Sequence, residues 1–291
     1  MMKIILLVSG GLGHQVLNFL IDHKYDLSAV LTDKSSDKII DLCASKHIKI
    51  FVGNPRSGKT KNFISNLECD VLLSVNYLFI IEKDLISLPR LYAVNIHGSL
   101  LPKYRGRTPH VWAIINGETQ TGITAHLINE KVDNGAILKQ VIVPIEKNNT
   151  GAEIVIKFND LYPSICFDVL NSIESNTVEL KTQDRNVTTY FGKRTPSDGQ
   201  INWEWSKERI RNWIRAQANP YPGAFTFLDN NKIVINSSCF DDTGYHYENQ
   251  NGQVLKVLED SIIVKTCNGA LKLTQLVFNA AVLIKKGEIL K

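Results

Sequence analysis

The chain has 291 residues, which is enough for about two domains of ordinary size. Lysine and arginine outnumber aspartate and glutamate by 33 − 29 = 4 and form no basic run, so the composition disfavours nucleic acid as a partner. Apolar residues make up 44% and charged residues 21%, which excludes disordered, collagen-like and coiled-coil chains. The longest apolar runs have five residues, far fewer than the roughly 20 that cross a bilayer, and we expect no membrane partner.

Short aliphatic runs alternate with segments of helical periodicity in the first half of the chain. A run that is apolar throughout predicts a strand covered on both faces, and helical crossovers make such strands parallel. The predicted strands are 4–8, 27–31, 48–52, 71–75, 93–96, 123–128 and 140–145, and the predicted helices are 15–23, 39–47, 62–67, 81–87 and 151–171. We therefore predict an α/β fold with a doubly wound, mostly parallel, Rossmann-like sheet, whose ligand site lies at the carboxyl ends of the strands.

The character of the sequence changes near Tyr190, and Pro196, Asp198 and Gly199 then indicate a linker. A short amphipathic helix is predicted over 207–215, and turn signals separate several short strand-like runs after it. This pattern is typical of a small β-rich, barrel-like domain. We predict an α/β catalytic domain over 1–190 and a smaller β-rich C-terminal domain over 191–291, which begins with the linker and the short helix.

The chain has five cysteines, an odd number, and none of them belongs to a Cys-x-x-Cys pair. This usage is typical of reduced, buried thiols and predicts neither a disulfide framework nor a zinc site. We expect a cytoplasmic protein that needs no metal.

A glycine-rich turn follows the first predicted strand. Gly11-Leu12-Gly13 is a partial dinucleotide fingerprint, and Asp33 lies near the end of the second strand. Val16 occupies the place of the third glycine, which normally allows a helix and a strand to pack closely. The turn leaves two interpretations open, a nicotinamide-dinucleotide site and a tight turn whose N–H groups hold an anion.

Residues 53–60 match the Walker A pattern letter for letter, as Gly-Asn-Pro-Arg-Ser-Gly-Lys-Thr after a predicted strand. Pro55, however, lacks the N–H group that a phosphate-binding loop uses. The strand over 71–75 also leads into Asn76 instead of the magnesium-binding aspartate that such a site requires. These features favour a polar surface turn.

A third segment combines an amide, an imidazole and a carboxylate. Alternation along the strand that begins at residue 93 places Asn95 and His97 on one face, and Gly98 lets the chain turn sharply at the strand end. Both side chains would project from the carboxyl edge of the sheet, where this architecture binds ligands. Asp133 follows later, in an Asp-Asn-Gly turn. A lone Asn or His is more typical of a capped turn or a packed core, but the combination of Asn95, His97 and Asp133 favours a catalytic site.

The segments around these residues resemble the folate-dependent formyltransferases, and most of all the members that act on nucleotide-linked amino sugars. Asn-x-His-x-Ser-Leu-Leu-Pro over 95–102, followed by Tyr-Arg-Gly over 104–106, is similar to the signature of the family. Val-Asp-Asn-Gly over 132–135 is similar to the loop of its catalytic aspartate, and 213–225 resembles the start of its C-terminal domain. The first 65 residues match the family in architecture alone.

The resemblance implies transfer of a formyl group from N10-formyltetrahydrofolate to a primary amine, without a metal. Asn95 and His97 would donate hydrogen bonds to the oxyanion of the tetrahedral intermediate, each worth about 3 kcal/mol, and Asp133 would orient His97 and accept the amine proton. His126 is similar to an auxiliary position in some relatives, although a strand residue facing a neighbour explains it equally well. The residues expected to hold the folate are Asn76, Tyr77, Leu78, Phe79, Leu101, Lys131 and Val132.

The resemblance also bears on the amine acceptor. The tRNA-acting members carry a Gly-Thr-Pro first turn and a basic insertion, whereas this chain has Ser-Gly-Gly-Leu-Gly over 9–13 and no such insertion. We therefore expect a nucleotide-linked amino sugar, with dTDP-4-amino-4,6-dideoxyglucose as first choice. Methionyl-tRNA formyltransferase is the alternative, and a NAD- or nucleotide-binding protein that uses the glycine turn is the third.

Two further expectations follow from the choice of a sugar. The enzyme would be a homodimer that acts in O-antigen or lipopolysaccharide synthesis. Arg107 would supply a cation for the diphosphate of this substrate, and the glycine-rich turn would supply N–H groups. The residues expected to bind this substrate are Gly10, Gly11, Gly98, Ser99, Tyr104 and Arg107.

Overall fold

The structure is a computed structural model of the chain, and it describes residues 2–279 and 283–291. The chain forms two compact units. The first unit comprises the residues up to 106, together with 122–143 and 157–190, and the second comprises 107–121, 144–156 and the residues from 191 onward. The second unit thus includes two short segments from within 1–190, and the division of the chain into domains at residue 190 stays a prediction.

The secondary structure alternates between strands and helices up to residue 174 and is mostly β beyond residue 216. The elements up to that helix are β1 Lys3–Val8, α1 Gly10–Asp22, β2 Asp26–Thr32, α2 Asp37–Ser45, β3 Ile50–Val52, α3 Lys61–Ile64, β4 Val71–Val75, α4 Lys83–Ile86, β5 Tyr92–His97, β6 Arg105–Gly106, α5 Pro109–Ile115, β7 Gln120–Leu127, β8 Ile137–Pro144 and α6 Gly151–Glu174. The later elements are β9 Tyr190–Phe191, α7 Lys207–Ala216, β10 Ala224–Leu228, β11 Asn231–Asp241, β12 Val254–Val257, β13 Ile262–Thr266 and β14 Gly269–Phe278, with 3₁₀ turns at Arg185–Val187 and Pro196–Gly199.

One seven-stranded sheet organises the first unit, with the strand order β3-β2-β1-β4-β5-β7-β8. The pairs from β3 to β5 are all parallel, whereas β5 and β7 are antiparallel. Every residue of Ile4–Val8 in the central strand β1 is fully buried, as expected of a strand covered on both faces. The predicted doubly wound, mostly parallel fold is therefore confirmed.

Strand β5 positions the functional residues because it is longer than the predicted run. It extends to His97, so Asn95 and His97 both lie within regular strand and share one face. Gly98 follows directly, but its φ is not positive. A Cβ at this position would lie 3.0 Å from the Phe158 ring and 3.1 Å from the Tyr162 hydroxyl. The chain bends at Gly98 as expected, and this glycine also makes room for helix α6.

The strands of the second unit form an antiparallel sheet in the order β10-β11-β14-β13-β12. The last residues of the chain hydrogen-bond to both of its edges. Lys291 pairs with Phe227 of β10 through bonds of 2.7 and 2.8 Å, and Glu288 O accepts the N–H of Val254 in β12 at 2.8 Å. The C-terminal segment thus gives the predicted β-rich domain a barrel-like closure.

The described residues contain no helix that has both the length and the apolarity needed to span a membrane.

The glycine-rich turn is the start of α1, and its glycines differ in their surroundings. A Cβ at Gly13 would lie 2.8 Å from Val8 Cβ, whereas a Cβ at Gly11 would have no atom within 4 Å. Gly13 therefore provides the close packing of helix and strand that the dinucleotide fingerprint assigns to its third glycine.

We expect Gly13→Ala to lower the free energy of unfolding by about 1–3 kcal/mol, because the added methyl group overpacks the contact between α1 and β1. Gly11→Ala is the matched control and should be neutral or stabilising, since alanine favours the helix. Urea unfolding of both variants measures the difference. Equal losses in the two variants would contradict this account of Gly13.

Candidate active site

Four polar side chains meet at the carboxyl end of β5 in the first unit. Asn95 lies directly opposite His126 across the antiparallel β5–β7 pair, and its amide Nδ2 is 3.2 Å from His126 Nε2. Asp133 Oδ1 lies 3.5 Å from His126 Nε2 and 3.6 Å from His97 Nδ1. The structure thus brings together the three residues expected to be catalytic, and His126 is a fourth member of the group.

The hydrogen bond of His97 fixes the tautomer of its neutral ring. Its Nε2 lies 2.9 Å from the carbonyl oxygen of Tyr104, which can only accept a hydrogen bond. Nε2 is therefore the protonated nitrogen, and Nδ1 carries the lone pair that faces Asp133. The expected role of His97 as a donor to an oxyanion does not fit the neutral ring, because its one N–H is already used.

Hydrogen bonds also fix the tautomer of the neutral His126 ring and the orientation of the Asn95 amide. His126 Nδ1 donates to the carbonyl oxygen of Leu127 at 2.8 Å, so Nε2 of the neutral ring accepts an N–H of Asn95. The second N–H of the Asn95 amide has no partner among residues 2–279 and 283–291. Asn95 therefore keeps one oriented donor for a ligand.

The carboxylate of Asp133 is buried, with 9% of the residue exposed, and stays ionised. Burial alone would raise its pKa, but the protonated forms of His97 and His126 and the N–H of Gly106, at 2.9 Å from Oδ2, bring this pKa to about 2. The φ of Asp133 is +52°, in the left-handed region that few residues other than glycine adopt. Burial has the opposite effect on His97 and lowers the pKa of its ring below the ordinary value of 6.5, in spite of the neighbouring Asp133.

The residues expected to hold a folate lie on loops at the same edge of the sheet. Leu78 and Val132 are large apolar side chains that are 44% and 53% exposed, and Phe79 is half-buried and stacks edge-on against Tyr77. Exposed Lys131 precedes Val132, and Asn76 donates to the carbonyl oxygen of Ser9 at 3.1 Å.

Leu101 differs from these exposed residues because it is buried. Its N–H donates to Thr124 Oγ1 at 3.2 Å, and its carbonyl oxygen accepts from Gln140 at 2.8 Å. Its backbone polar groups therefore serve the turn, and only its side chain remains to contact a ligand.

Several residues expected to bind the substrate have structural roles. The Ser99 hydroxyl donates to the carbonyl oxygen of Lys103 at 2.8 Å, and the residue is fully buried. The N–H of Gly10 donates to Ser36 Oγ at 2.9 Å, and Ser36 in turn donates to the buried Asp33 carboxylate at 2.6 Å. The Gly10 N–H and the Ser99 hydroxyl thus have internal partners, and the role of these two residues in substrate binding stays a prediction.

Three other residues expected to bind the substrate differ in their exposure and surroundings. Gly11 has open space around it. Tyr104 is buried and acts through its backbone, with a φ of +59° that accompanies the bond of its carbonyl oxygen to His97. Arg107 is exposed and belongs to the second unit, so its expected role stays a prediction.

The segment that matches the Walker A pattern holds a carboxylate of its own chain. Glu82 accepts the N–H of Ser57 at 2.8 Å and faces Arg56 Nε at 3.3 Å. The helix that follows, α3, has four residues, too few for the dipole-supported anion site of a P-loop. The geometry agrees with the interpretation as a polar surface turn. No group of three or more potential metal ligands occurs in the described part of the chain.

Sequence reasoning missed Arg105 and Gln183, which lie behind Asp133. Gln183 Nε2 donates to the carbonyl oxygens of Asp133 at 3.0 Å and Gly135 at 2.7 Å, and its Oε1 accepts from Arg105. No periodicity marks residue 183, which lies in irregular chain, and Arg105 is visible in the sequence only as part of the Tyr-Arg-Gly segment.

Comparisons with known proteins relate most of the chain to one family. Residues 2–170 match the family model described as formyl transferase, and residues 193–288 match the model for the formyl transferase C-terminal domain. The chain is 30% identical over 293 residues to methionyl-tRNA formyltransferase of Ruminiclostridium cellulolyticum, covering 96% of this chain and 93% of that protein.

Two further similarities concern a bifunctional protein and a solved structure. The chain is 36% identical over 250 residues to the bifunctional polymyxin resistance protein ArnA of Wigglesworthia glossinidia brevipalpis, which is 80% of this chain but only 37% of that protein. Its fold matches the solved structure of WlaRD, described as a sugar 3N-formyl transferase in the presence of dTDP and 5-N-formyl-THF, with a TM-score of 0.75 and 22% identity over 97% of this chain and 99% of that one.

We expect His97 to be neutral at pH 7 and to take up a proton only below pH 6.5, because burial lowers its pKa. A histidine NMR titration measures this directly, with His97→Gln identifying the signal. The nitrogen shifts at pH 7 should also report a proton on Nε2. A ring that is still charged at pH 7 would contradict the assignment and indicate an ion pair with Asp133.

Proposed function

Because the chain belongs to the formyl transferase family, we propose that it transfers a formyl group from N10-formyltetrahydrofolate to the amine of a nucleotide-linked amino sugar. The observation that carries the proposal is the convergence of Asn95, His97 and Asp133 within one group at the carboxyl edge of the sheet. In this architecture ligands bind at that edge.

Asn95 would stabilise the charge that develops on the reacting oxygen. The amine nitrogen would attack the formyl carbon of N10-formyltetrahydrofolate and make its oxygen negative. Collapse of this intermediate would break the bond between the carbon and N10, and tetrahydrofolate would leave with the proton that the amine gives up. The free N–H of Asn95 is already oriented by the bond of the same amide to His126, so little reorganisation is needed in the transition state. Loss of one such donor typically costs about 2.7–4 kcal/mol of transition-state stabilisation.

His97 and Asp133 would receive the proton that the amine loses. In its neutral tautomer His97 directs the lone pair of Nδ1 toward Asp133 Oδ1, at 3.6 Å, whereas the lone pair of His126 Nε2 is used by Asn95. Two acceptors, His97 Nδ1 and Asp133 Oδ1, therefore face each other without a proton between them. A proton delivered to His97 Nδ1 would turn this repulsion into an ion pair with Asp133, which favours proton transfer from the attacking amine.

The loops on either side of the catalytic group fit a flat, partly apolar ligand. Leu78 and Val132 are exposed although they are large and apolar, as expected of residues that line a binding site. We propose that these two side chains, with Tyr77, Phe79 and Leu101, contact the pterin ring, and that the backbone near Asn76 and Lys131 forms hydrogen bonds with its edge.

A sugar acceptor is favoured by the sequence around the site and by one relative. The chain lacks the basic insertion expected of tRNA-acting members. WlaRD, whose fold it shares, is described as a sugar 3N-formyl transferase in the presence of dTDP. We propose dTDP-4-amino-4,6-dideoxyglucose as the first acceptor to test, with Gly11, Tyr104 and Arg107 near it. We also propose a cytoplasmic homodimer that supplies O-antigen synthesis.

Methionyl-tRNA is the second candidate acceptor, because the similarity to the methionyl-tRNA formyltransferase covers almost the whole of both chains. The similarity to ArnA is higher in identity but spans about a third of that protein.

We expect Asn95→Ala, His97→Ala and Asp133→Ala each to lower the rate of formyl transfer by about 10²–10³, since each removes a group that stabilises the transition state. Circular dichroism should show an unchanged fold. His246→Ala changes an exposed histidine of the second unit and serves as the control with a normal rate. A near-normal rate for His97→Ala would overturn the mechanism.

The acceptor is tested by offering the enzyme and N10-formyltetrahydrofolate two substrates in separate reactions, dTDP-4-amino-4,6-dideoxyglucose and methionyl initiator tRNA. We expect mass spectrometry to detect formylation of the sugar alone, with the Asn95→Ala enzyme as the blank. Transfer to the tRNA alone would replace the sugar proposal by the second candidate.

A further inference from the structure

The loop that carries Asp133 is held from behind by one amide. Gln183 Nε2 donates both of its hydrogens, one to the carbonyl oxygen of Asp133 at 3.0 Å and one to that of Gly135 at 2.7 Å. The loop also packs closely against the end of β7, because a Cβ at Gly135 would lie 1.8 Å from the carbonyl oxygen of Leu127. The backbone around Asp133 is thus fixed between Gln183 and the end of β7.

The orientation of the Gln183 amide is set by a buried cation. Arg105, which is 2% exposed, donates from Nε and Nη2 to Gln183 Oε1 and from Nη1 to the Tyr190 hydroxyl at 2.7 Å. An arginine can only donate, so the amide oxygen of Gln183 must face it and the NH₂ group must face the loop. A flipped amide would place donor against donor and acceptor against acceptor.

Gln183 hydrogen-bonds the loop at Asp133, the residue whose backbone conformation is strained. Asp133 has a φ of +52°, a conformation that costs a non-glycine residue about 1 kcal/mol or more and persists only where the surroundings impose it. In this conformation the carboxylate reaches the Gly106 N–H and both imidazoles. A relaxed φ would turn the carboxylate away from His97.

We propose that Gln183 and Arg105 are positioning residues for formyl transfer, in which Arg105 orients the Gln183 amide and Gln183 holds the backbone of Asp133 so that its carboxylate faces His97. The inference rests on the catalytic role proposed above for Asp133. Neither side chain touches the reacting groups, so their effect should be on the rate of the chemical step and not on substrate binding.

Gln183→Glu separates the two functions of the amide. The carboxylate keeps the pairing with Arg105, but it removes both N–H donors and sets an acceptor against the two loop carbonyls. We expect kcat to fall about 10- to 100-fold, as for a misplaced catalytic group, while KM for both substrates stays within about threefold. Gln250→Glu makes the same change at an exposed position of the second unit and should leave kcat unchanged.

A double-mutant cycle shows whether Gln183 acts through Asp133. Rates are measured with N10-formyltetrahydrofolate and the acceptor that the experiment above identifies. In the Asp133→Ala background, Gln183→Glu should cause no further loss of kcat, because the group that it positions is absent. If Gln183→Glu fails to fold, as judged by thermal unfolding, Gln183→Met replaces it, since methionine has a similar length and lacks the donors.

The outcomes are distinct. A normal kcat for Gln183→Glu beside an impaired Asp133→Ala enzyme would overturn this inference and leave the proposed function intact. An equal further loss in the Asp133→Ala background would also overturn it, because the effect would then be independent of Asp133. A normal rate for Asp133→Ala would refute both proposals.

Discussion

Burying an ionised carboxylate costs several kcal/mol unless hydrogen bonds and opposite charges replace the lost water. Asp133 meets part of this requirement with the Gly106 N–H, and a proton on a neighbouring imidazole ring would meet the rest, so that its pKa lies at about 2. The partners come from β5, β6 and β7, so the carboxylate can remain ionised only where these strands meet. The position of the whole group therefore follows from the need to stabilise one charge.

Backbone carbonyls decide the protonation of the histidines around that charge. Tyr104 O and Leu127 O each take one N–H, which leaves the remaining nitrogen of His97 and of His126 as an acceptor. The site is thus prepared to accept a proton before any ligand arrives, which is the form of preorganisation that lowers a barrier at no cost in reorganisation.

The sequence predicted the parallel part of the fold well because its evidence is local. The run of residues 71–75 is β4 without any change in its bounds, and the central strands are fully buried as their composition requires. Helix α5 was not predicted, since Thr108-Pro109 reads as a turn and the helix begins from a left-handed Thr108. The antiparallel direction of β7 was not predicted either. It depends on pairs such as Asn95 with His126, which are 31 residues apart and have no pattern in common.

Because sequence evidence is local, it also decides which residues of the site could be predicted. The resemblance identified Asn95, His97 and Asp133 from their motifs, but it gave no reason why the strained conformations of Tyr104 and Asp133 persist. Residues 181–190 supply that reason.

Lys181 pairs with Ile137 at the start of β8, which places Gln183 beside Asp133, and Thr189 accepts the N–H of Tyr104 at 2.8 Å and that of Arg105 at 2.9 Å. Each strained residue is therefore tied to this one segment, about 50 or more residues away. A change in the segment that left every catalytic side chain in place would still alter the distance between Asp133 and His97, because the backbone conformations that set this distance are not stable by themselves.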